Sequence, residues 1–219
     1  MSVTVHNLGE HRSIVNEWLA EIRDTEVQGD PLRFRRNIER LGEAFALEIS
    51  RTLDYAERTI VTPLGQLACP VLAEQPVLAT ILRAGLPLHQ GLLNCFDRAD
   101  NAFISAYRKH EGDEEHFEVE IEYLASPSLD GRTVILSDPM LATGASMILA
   151  WKALLARGTP ARLHVVSVIA SRAGVDLLRE RLPAGTEVWV GAIDPELDRR
   201  AYIVPGLGDA GDLAFGPKV

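Results

Sequence analysis

Thr133-Val134-Ile135-Leu136-Ser137-Asp138-Pro139-Met140-Leu141-Ala142-Thr143-Gly144-Ala145-Ser146 is the stretch that decides how this chain folds. Its first four residues are apolar or β-branched with no polar face, which suits a strand covered on both sides. Small residues follow, and then a helical pattern over residues 146–157, closed by Gly158. Strand, loop and helix in that order form the unit of a parallel sheet with helical crossovers. A loop of small residues lets successive amides turn inward on an anion, and the helix start adds free N–H groups and its positive dipole end. Thr143 and Ser146 supply hydroxyls, and Asp138 is an acceptor suited to ribose hydroxyls. The loop lacks the Gly-Lys-Ser/Thr ending of a Walker motif and the three spaced glycines of a dinucleotide fingerprint. On these residues alone, a capped strand-to-helix turn with no ligand stays open.

The same alternation continues outward. Residues 77–82 read as a strand ending in Arg83-Ala84-Gly85, with a helix over 87–96. Residues 102–107 form another apolar run, ending in Arg108. Over 116–123, Phe117, Val119, Ile121 and Tyr123 share one face. Residues 163–169, 175–181 and 187–190 read as strand, helix and strand. The pattern predicts an α/β chain with a central, mainly parallel sheet flanked by helices. In such sheets ligands gather outside the carboxyl ends of the strands, so the loops after Leu82, Tyr107 and Leu136 are predicted to meet at one edge.

Towards the amino end, residues 1–10 read as a loose arm. Ser13 caps a short helix carrying Ile14, Trp18, Leu19 and Ile22. Asp30-Pro31 opens a long amphipathic helix with Ile38, Leu41, Phe45, Ile49 and Leu53, expected to end near Tyr55. At the other end, residues 194–219 are rich in glycine and proline and too long for an idle connector, so they read as a functional hood. The expected organisation is one domain over 1–219, with 1–30 as an amino-terminal arm and 194–219 as the hood.

Composition narrows the function. The formal net charge of −9 argues against a broad basic face for nucleic acid, though a few local donors can still hold a small anion. No basic-then-apolar leader and no membrane-length apolar run is visible, so a cytoplasmic protein is expected. Cys69 and Cys95 fit no disulfide framework or zinc site and are expected as buried thiols. The six histidines form no metal-ligand spacing, and His89 reads as a packed or surface residue. Trp18, Trp151 and Trp189 are expected in the core or at a subunit contact.

Three blocks together resemble the uracil phosphoribosyltransferase family. Asp138-Pro139-Met140-Leu141-Ala142-Thr143-Gly144 is similar to its ribose-phosphate loop. Ile81-Leu82-Arg83-Ala84-Gly85-Leu86 is similar to its pyrophosphate loop. Tyr202-Ile203-Val204-Pro205-Gly206-Leu207-Gly208-Asp209-Ala210-Gly211-Asp212, with Phe215-Gly216 beyond, resembles its uracil-binding segment. The first block marks the superfamily, and the last marks the base.

The resemblance implies a phosphoribosyltransferase fold with a flexible β-arm, and transfer of phosphoribosyl from 5-phosphoribosyl diphosphate to uracil. It implies that residues 138–146, including Ala145 and Ser146, bind the ribose and its phosphate. Arg83 would bind diphosphate, with Gly85 letting amides approach the same oxygens, and Arg108 would bind the activated ribose. Ile203, Gly208, Asp209 and Ala210 would line uracil. Arg83 and Asp209 are the candidate catalytic groups. Asp209 could face the ribose, the base nitrogen or a Mg²⁺ ion, or simply cap its turn; Asp212 reads as structural. Mg²⁺ is expected on the substrate's diphosphate and water, with no dedicated protein cage. A homodimer or higher homo-oligomer is expected, with GTP as a candidate activator and no nucleic-acid or membrane partner. Residues 109–115 read either as the turn of a lid-like arm or as a solvated charged turn.

The chain departs from the family wording in places. Ala145 and Ala201 stand where glycine is common, and Asp198 where asparagine is. Ala170-Ser171-Arg172-Ala173-Gly174 replaces a frequent Ala-Ala-Pro-Glu-Gly. Three rival readings stay open here: a transferase for another base, an RNA-reading regulator of this fold, and an inactive structural relative.

Overall fold

A computed structural model describes residues 2–110 and 117–217; for residues 106–110 and 117–120 the backbone alone is described. β1 (Thr4–Asn7) leads to α1 (Ile14–Arg23) and α2 (Pro31–Ser50). A hairpin of β2 (Tyr55–Thr62) and β3 (Gly65–Leu72) follows, then β4 (Val77–Leu82), α3 (Leu86–Cys95), β5 (Asp100–His110) and β6 (Phe117–Ala125). Next come β7 (Thr133–Ser137), β8 (Met140–Leu141), α4 (Ala145–Leu154), β9 (Arg162–Ser171), α5 (Arg172–Arg181) and β10 (Glu187–Asp194). The tail folds as β11 (Glu196–Leu197), β12 (Ile203–Val204) and α6 (Ala210–Phe215).

The main sheet runs β1-β10-β9-β7-β4-β5-β6, with β8 added beside β9. Every pair is parallel except β5 with β6. Strand side chains alternate between two cores, as their period of two requires. Leu78, Ile135, Val166 and Trp189 join α1, α2 and α3 on one face. Val77, Ala79, Val134, Leu136, Val165 and Val190 join α4 and α5 on the other. The α/β architecture read from the sequence is therefore present. The strand order reverses between β4 and β7, and the helices that follow these two strands cover opposite faces. A crevice opens above such a point at the carboxyl ends of the strands.

The helices on the first face are tied together by caps and polar contacts. Ser13 forms a capping box with Asn16 at the start of α1, and Asp30 accepts from the Leu32 and Arg33 amides at the start of α2. Glu21 of α1 accepts two bonds from Arg33 (2.7 and 2.6 Å) and one from buried Asn37 (2.6 Å). These hydrogen bonds hold its carboxyl at about 2. Helices α2 and α3 touch backbone to backbone. A Cβ on Gly42 would lie 2.5 Å from the Leu88 carbonyl, and one on Gly91 would lie 2.0 Å from that of Glu39.

Several boundaries differ from the sequence reading. Residues 2–10 are not a loose arm: β1 pairs in parallel with β10, and the His6 ring stacks on Trp189 at 3.9 Å. Helix α2 stops at Ser50, not near Tyr55. Arg51, Thr52 and Leu53 close a tight turn with amides bonded three residues back, which keeps Leu53 in phase with the apolar stripe and against the core. The β2–β3 hairpin went unread. Its side chains are exposed on both faces, Val61 and Leu64 among them, so no core-facing alternation marks it. Strand β5 runs to His110 instead of ending at Tyr107, because β6 pairs with it across a register shift at Ser105/Ala106. Neither cysteine is buried: Cys69 is half-buried on β3 and Cys95 exposed at the end of α3, both as free thiols. Trp151 and Trp189 are in the core, while Trp18 is partly buried beside Arg40. His89 is buried on α3 against the Phe103 ring. No helix among the described residues is long and apolar enough to cross a membrane.

Ala145 carries no left-handed strain, contrary to the concern its family position raises. The left-handed residue of that loop is Gly144, at φ 83°, and Ala145 begins α4. The strained alanine is Ala201, at φ 61°, the one non-glycine among the described residues with positive φ. A left-handed alanine costs roughly 1–2 kcal/mol. Glycine would relieve that but adds about 0.4–1 kcal/mol of unfolded-state entropy. Ala201→Gly should thus stabilise the fold by up to about 1 kcal/mol, read as a rise in the urea unfolding midpoint.

His164 of β9 is buried and accepts from the Trp189 indole N–H at 3.2 Å, while its Nε2 meets no partner among the described residues. Burial lowers its pKa from 6.5 to about 4, with Arg162 and His6 pushing the same way and Glu187 opposing. The folded state thus disfavours the proton that the unfolded chain accepts. This stability is full above pH 6.5 and is lost as pH falls towards 4, amounting to about 3 kcal/mol. Urea unfolding of His164→Gln should show a shallower fall across that window than the native chain; parallel profiles would remove His164 from the account.

Candidate active site

The crevice at the reversal of strand order is a cleft of ≈ 610 Å³. Three parts of the chain wall it: residues 81–84 at the end of β4, the segment from Asp138 to Met147 after β7, and residues 200–203 and 208–211 of the tail. Ser105 of β5 completes the lining. Two of the loops expected to converge, those after Leu82 and Leu136, do so. The third contribution comes from within β5, because that strand continues. Arg108 lies on the β5 backbone opposite Val119, and its side chain is outside the described residues. So is the tip of the expected 109–115 turn, over 111–116.

The loop after β7 is held from beneath by small polar side chains. Ser167 of β9 donates to the Asp138 carbonyl (2.6 Å), and Ser171 donates to that of Ala142 (2.5 Å). Ser171 also caps α5 by accepting from the Gly174 amide (2.8 Å). Gly174 is required where it stands, since a Cβ would lie 2.5 Å from the Ala142 carbonyl. Ser171 and Gly174 fall in the stretch that departs from the family wording, and here they fix the loop. The Asp138 amide donates to Val166, and the Pro139 carbonyl accepts from the Val168 and Ile169 amides. These bonds turn the remaining loop backbone towards the cleft.

Asp138, Met140, Leu141, Ala142, Thr143, Gly144 and Ser146 line the cleft. Pro139 and Ala145 do not: Pro139 is buried under the loop, and Ala145 is exposed at the helix start, its amide given to Thr143 Oγ1 at 3.3 Å. A first helical turn leaves its N–H groups without intrahelical acceptors, which makes the Gly144–Ser146 corner an electropositive cradle.

Across the cleft, Arg83 follows the cis Leu82–Arg83 peptide. Its Nη2 lies 3.6 Å from Asp212 and 3.5 Å from the Gly216 carbonyl. Gly85 is also required by packing. Its amide donates to Ile81 at 3.0 Å, and a Cβ would lie 2.1 Å from Thr80 Oγ1, so its smallness serves packing against β4.

The tail is anchored by an ion pair, buried on its Asp194 side, that the sequence reading missed. Arg23 of α1 grips Asp194 at the end of β10 with two bonds (2.8 and 2.9 Å). Asp194 also accepts from the Gly206 amide (2.8 Å), and Arg23 donates to the Gly206 carbonyl (3.1 Å). Both polar groups of Gly206 are thereby fixed. Its left-handed φ of 56° and contact with the Ile203 carbonyl leave no room for a side chain. Ile203, Gly208, Asp209 and Ala210 then face the cleft. Asp209 caps α6 through Oδ1, accepting from Gly211 (2.8 Å) and Asp212 (3.0 Å), so Oδ2 is its remaining acceptor. Asp198 accepts from the Arg200 and Tyr202 amides, a duty that its carboxylate meets as an asparagine carbonyl would. Arg200, which also lines the cleft, is a cation that the sequence reading passed over.

The arrangement suits a ligand with phosphate at both ends of a sugar: cradle on one side, Arg83 on the other, Asp138 between, and a polar backbone hood above. Among the described residues no three His, Cys, Asp or Glu side chains converge as a metal cluster. Asp138 and Asp209 offer hard oxygens beside the cleft, which fits a Mg²⁺ ion carried mainly by substrate oxygens.

Comparison with known proteins agrees. Residues 10–217 match the sequence profile described as uracil phosphoribosyltransferase. A uracil phosphoribosyltransferase of Porphyromonas gingivalis is 54% identical over 215 residues, covering 98% of this chain and 99% of that one. One from Methanothermobacter thermautotrophicus is 42% identical, covering 93% and 92%. The solved structure of the AQ2163 protein from Aquifex aeolicus superposes with a TM-score of 0.88 at 28% identity, over 99% of this chain and 100% of that one. With the profile spanning nearly its whole length and its fold and cleft in accord, this chain belongs to the uracil phosphoribosyltransferase family.

Proposed function

We propose that this chain transfers the 5-phosphoribosyl group from 5-phospho-α-D-ribose 1-diphosphate to uracil, giving UMP and diphosphate in pyrimidine salvage. One observation carries the assignment beside the family: the Arg83 bend, the Asp138–Ser146 loop and the 203–210 hood segment open into the same cleft. The whole chain acts as one unit, with residues 194–219 as its hood. The exposed apolar side chains Val61, Leu64 and Leu67 on the β2–β3 hairpin support a homo-oligomer. We place the enzyme in the cytoplasm, as its free cysteines favour.

In this reading the electropositive corner at Gly144–Ser146 holds the 5-phosphate and Asp138 holds the ribose hydroxyls. Arg83 takes the diphosphate, donating N–H groups of its guanidinium to the oxygens. Asp138 and Asp209 would face a Mg²⁺ ion bound with the diphosphate, which when bound would supply further countercharge to the leaving group. The bond from the anomeric carbon to the diphosphate oxygen breaks, and its electron pair leaves with diphosphate. The uracil ring nitrogen donates its pair to the same carbon from the opposite face and releases its proton. Oδ2 of Asp209 is our candidate acceptor for that proton. Uracil shows an acceptor, a donor and an acceptor along one edge, which main-chain groups of the hood can match. Cytosine lacks the ring donor and would leave a buried acceptor unpaired.

Purified protein with Mg²⁺ and 5-phosphoribosyl diphosphate should consume uracil and release UMP and diphosphate, leaving cytosine and hypoxanthine untouched. Consumption of hypoxanthine with uracil unused would overturn the base assignment. Arg83→Ala should lower kcat/KM roughly 100-fold with little change in Tm, since it removes a charge-stabilising donor and no core contact. Asp194→Asn loosens the hood anchor and should raise KM for uracil about tenfold, and that for phosphoribosyl diphosphate much less. An equal rise in both constants would show that the anchor serves the whole fold instead.

A further inference from the structure

We propose that Asp212 is a positioning residue for Arg83, and through it for the diphosphate end of the substrate. The inference rests on the reading of Arg83 as the diphosphate-binding group. Asp212 lies in the first turn of α6, and Oδ1 of its carboxylate lies 3.6 Å from Arg83 Nη2. That oxygen is shielded from water and accepts no hydrogen bond from the described residues. A dry carboxylate oxygen is costly unless a cation stands beside it, and the guanidinium is that cation. The cap of α6 belongs to Asp209, so capping does not account for the carboxylate at 212.

Asp212 is itself held on both sides. Its amide donates to Asp209 Oδ1 at 3.0 Å, and its carbonyl accepts from the Gly216 amide at 2.9 Å. The start of α6 lies against the Arg83 bend: a Cβ on Gly211 would be 3.9 Å from both Ala84 Cβ and Arg83 Nη2. Both contacts made by Arg83, to Asp212 and to the Gly216 carbonyl, fall on the single nitrogen Nη2. A guanidinium has five N–H donors in a planar fork. Holding it at Nη2 fixes the plane of the group and leaves the N–H groups of Nε and Nη1, which point to different sides, to reach phosphate oxygens singly. Each member of the pair is about two-fifths exposed, so the pair adds little to stability and its value lies in aim. The helix whose cap, Asp209, lines the base end of the cleft thus also steadies the group at the leaving-group end.

The test is Asp212→Asn, which keeps size and removes charge. Calorimetry should show Mg²⁺-diphosphate binding weakened roughly fivefold, with KM for phosphoribosyl diphosphate rising by the same factor. KM for uracil and kcat should change less than about twofold, and Tm should hold. Asp212→Glu, which keeps the charge, should retain more diphosphate affinity than Asp212→Asn. In an Arg83→Ala background, Asp212→Asn should change nothing further, because its effect passes through Arg83. Tighter diphosphate binding in Asp212→Asn would overturn the proposal, since it would make the carboxylate a mere competitor for the guanidinium. An undiminished effect in the Arg83→Ala background would do the same by showing a structural role. Should Arg83→Ala itself leave diphosphate affinity unchanged, the Arg83 assignment falls first and this inference with it. A normal loss in Arg83→Ala beside a silent Asp212→Asn sinks the Asp212 role alone.

Discussion

A half-buried guanidinium and a buried carboxylate, Arg23 and Asp194, govern where the carboxyl tail can go. Their two-bonded contact is completed by both main-chain groups of Gly206, so the pair holds a backbone position as well as a partner. Asp194 is the last residue of a central-sheet strand, and Arg23 is the last of a helix packed on that sheet. The rigid body therefore dictates the turn that sends residues 203–211 over the cleft. Removing Arg23 would strand the buried Asp194 carboxylate, a penalty of up to about 3–5 kcal/mol. The hood's polar backbone is useful only if it faces the sugar site, and this contact fixes that facing.

The floor of the cleft is organised differently, by short hydroxyl side chains under a loop that has few side chains of its own. Ser167 and Ser171 hold two loop carbonyls, while Gly174 lets α5 approach within contact of the loop. With the Ala142 carbonyl held below, the N–H of the same peptide unit, on Thr143, points the opposite way. The reversal of strand order between β4 and β7 then sets this cradle beside the Arg83 bend. The proposed anion site of this acidic chain thus rests on backbone placement and a few local cations, not on overall charge.

The central strands and their loops were legible because each carries its own signal: an apolar run, a small-residue loop, a cap. Asp30-Pro31 and Ser13 announced two helices for the same local reason. The Arg23–Asp194 contact joins residues 171 positions apart and leaves no local trace. The β2–β3 hairpin escaped because periodicity reports burial, and neither of its faces is buried in this chain. β1 escaped because four residues at a sheet edge are too short to show a pattern. Family wording flagged two alanines alike, and only φ separates them: Ala145 is helical, whereas Ala201 is left-handed. Asp212 looked structural in sequence because its neighbour Asp209 fills the recognisable role, and its bearing on Arg83 exists only in three dimensions.

The touching backbones of α2 and α3 at Gly42 and Gly91 have a mechanical consequence. Helix α3 begins three residues after Arg83, so it is the stalk on which the bend is mounted. With no side chain between the two axes, the stalk has no cushion, and a single methyl at either glycine acts as a wedge under its middle. Tilt introduced there would be delivered to the leaving-group end of the cleft while the phosphate cradle, mounted on α4 across the sheet, stayed still. Two glycines remote from the cleft thereby set the distance between the Arg83 bend and the loop after β7, the two walls proposed to hold the substrate's ends.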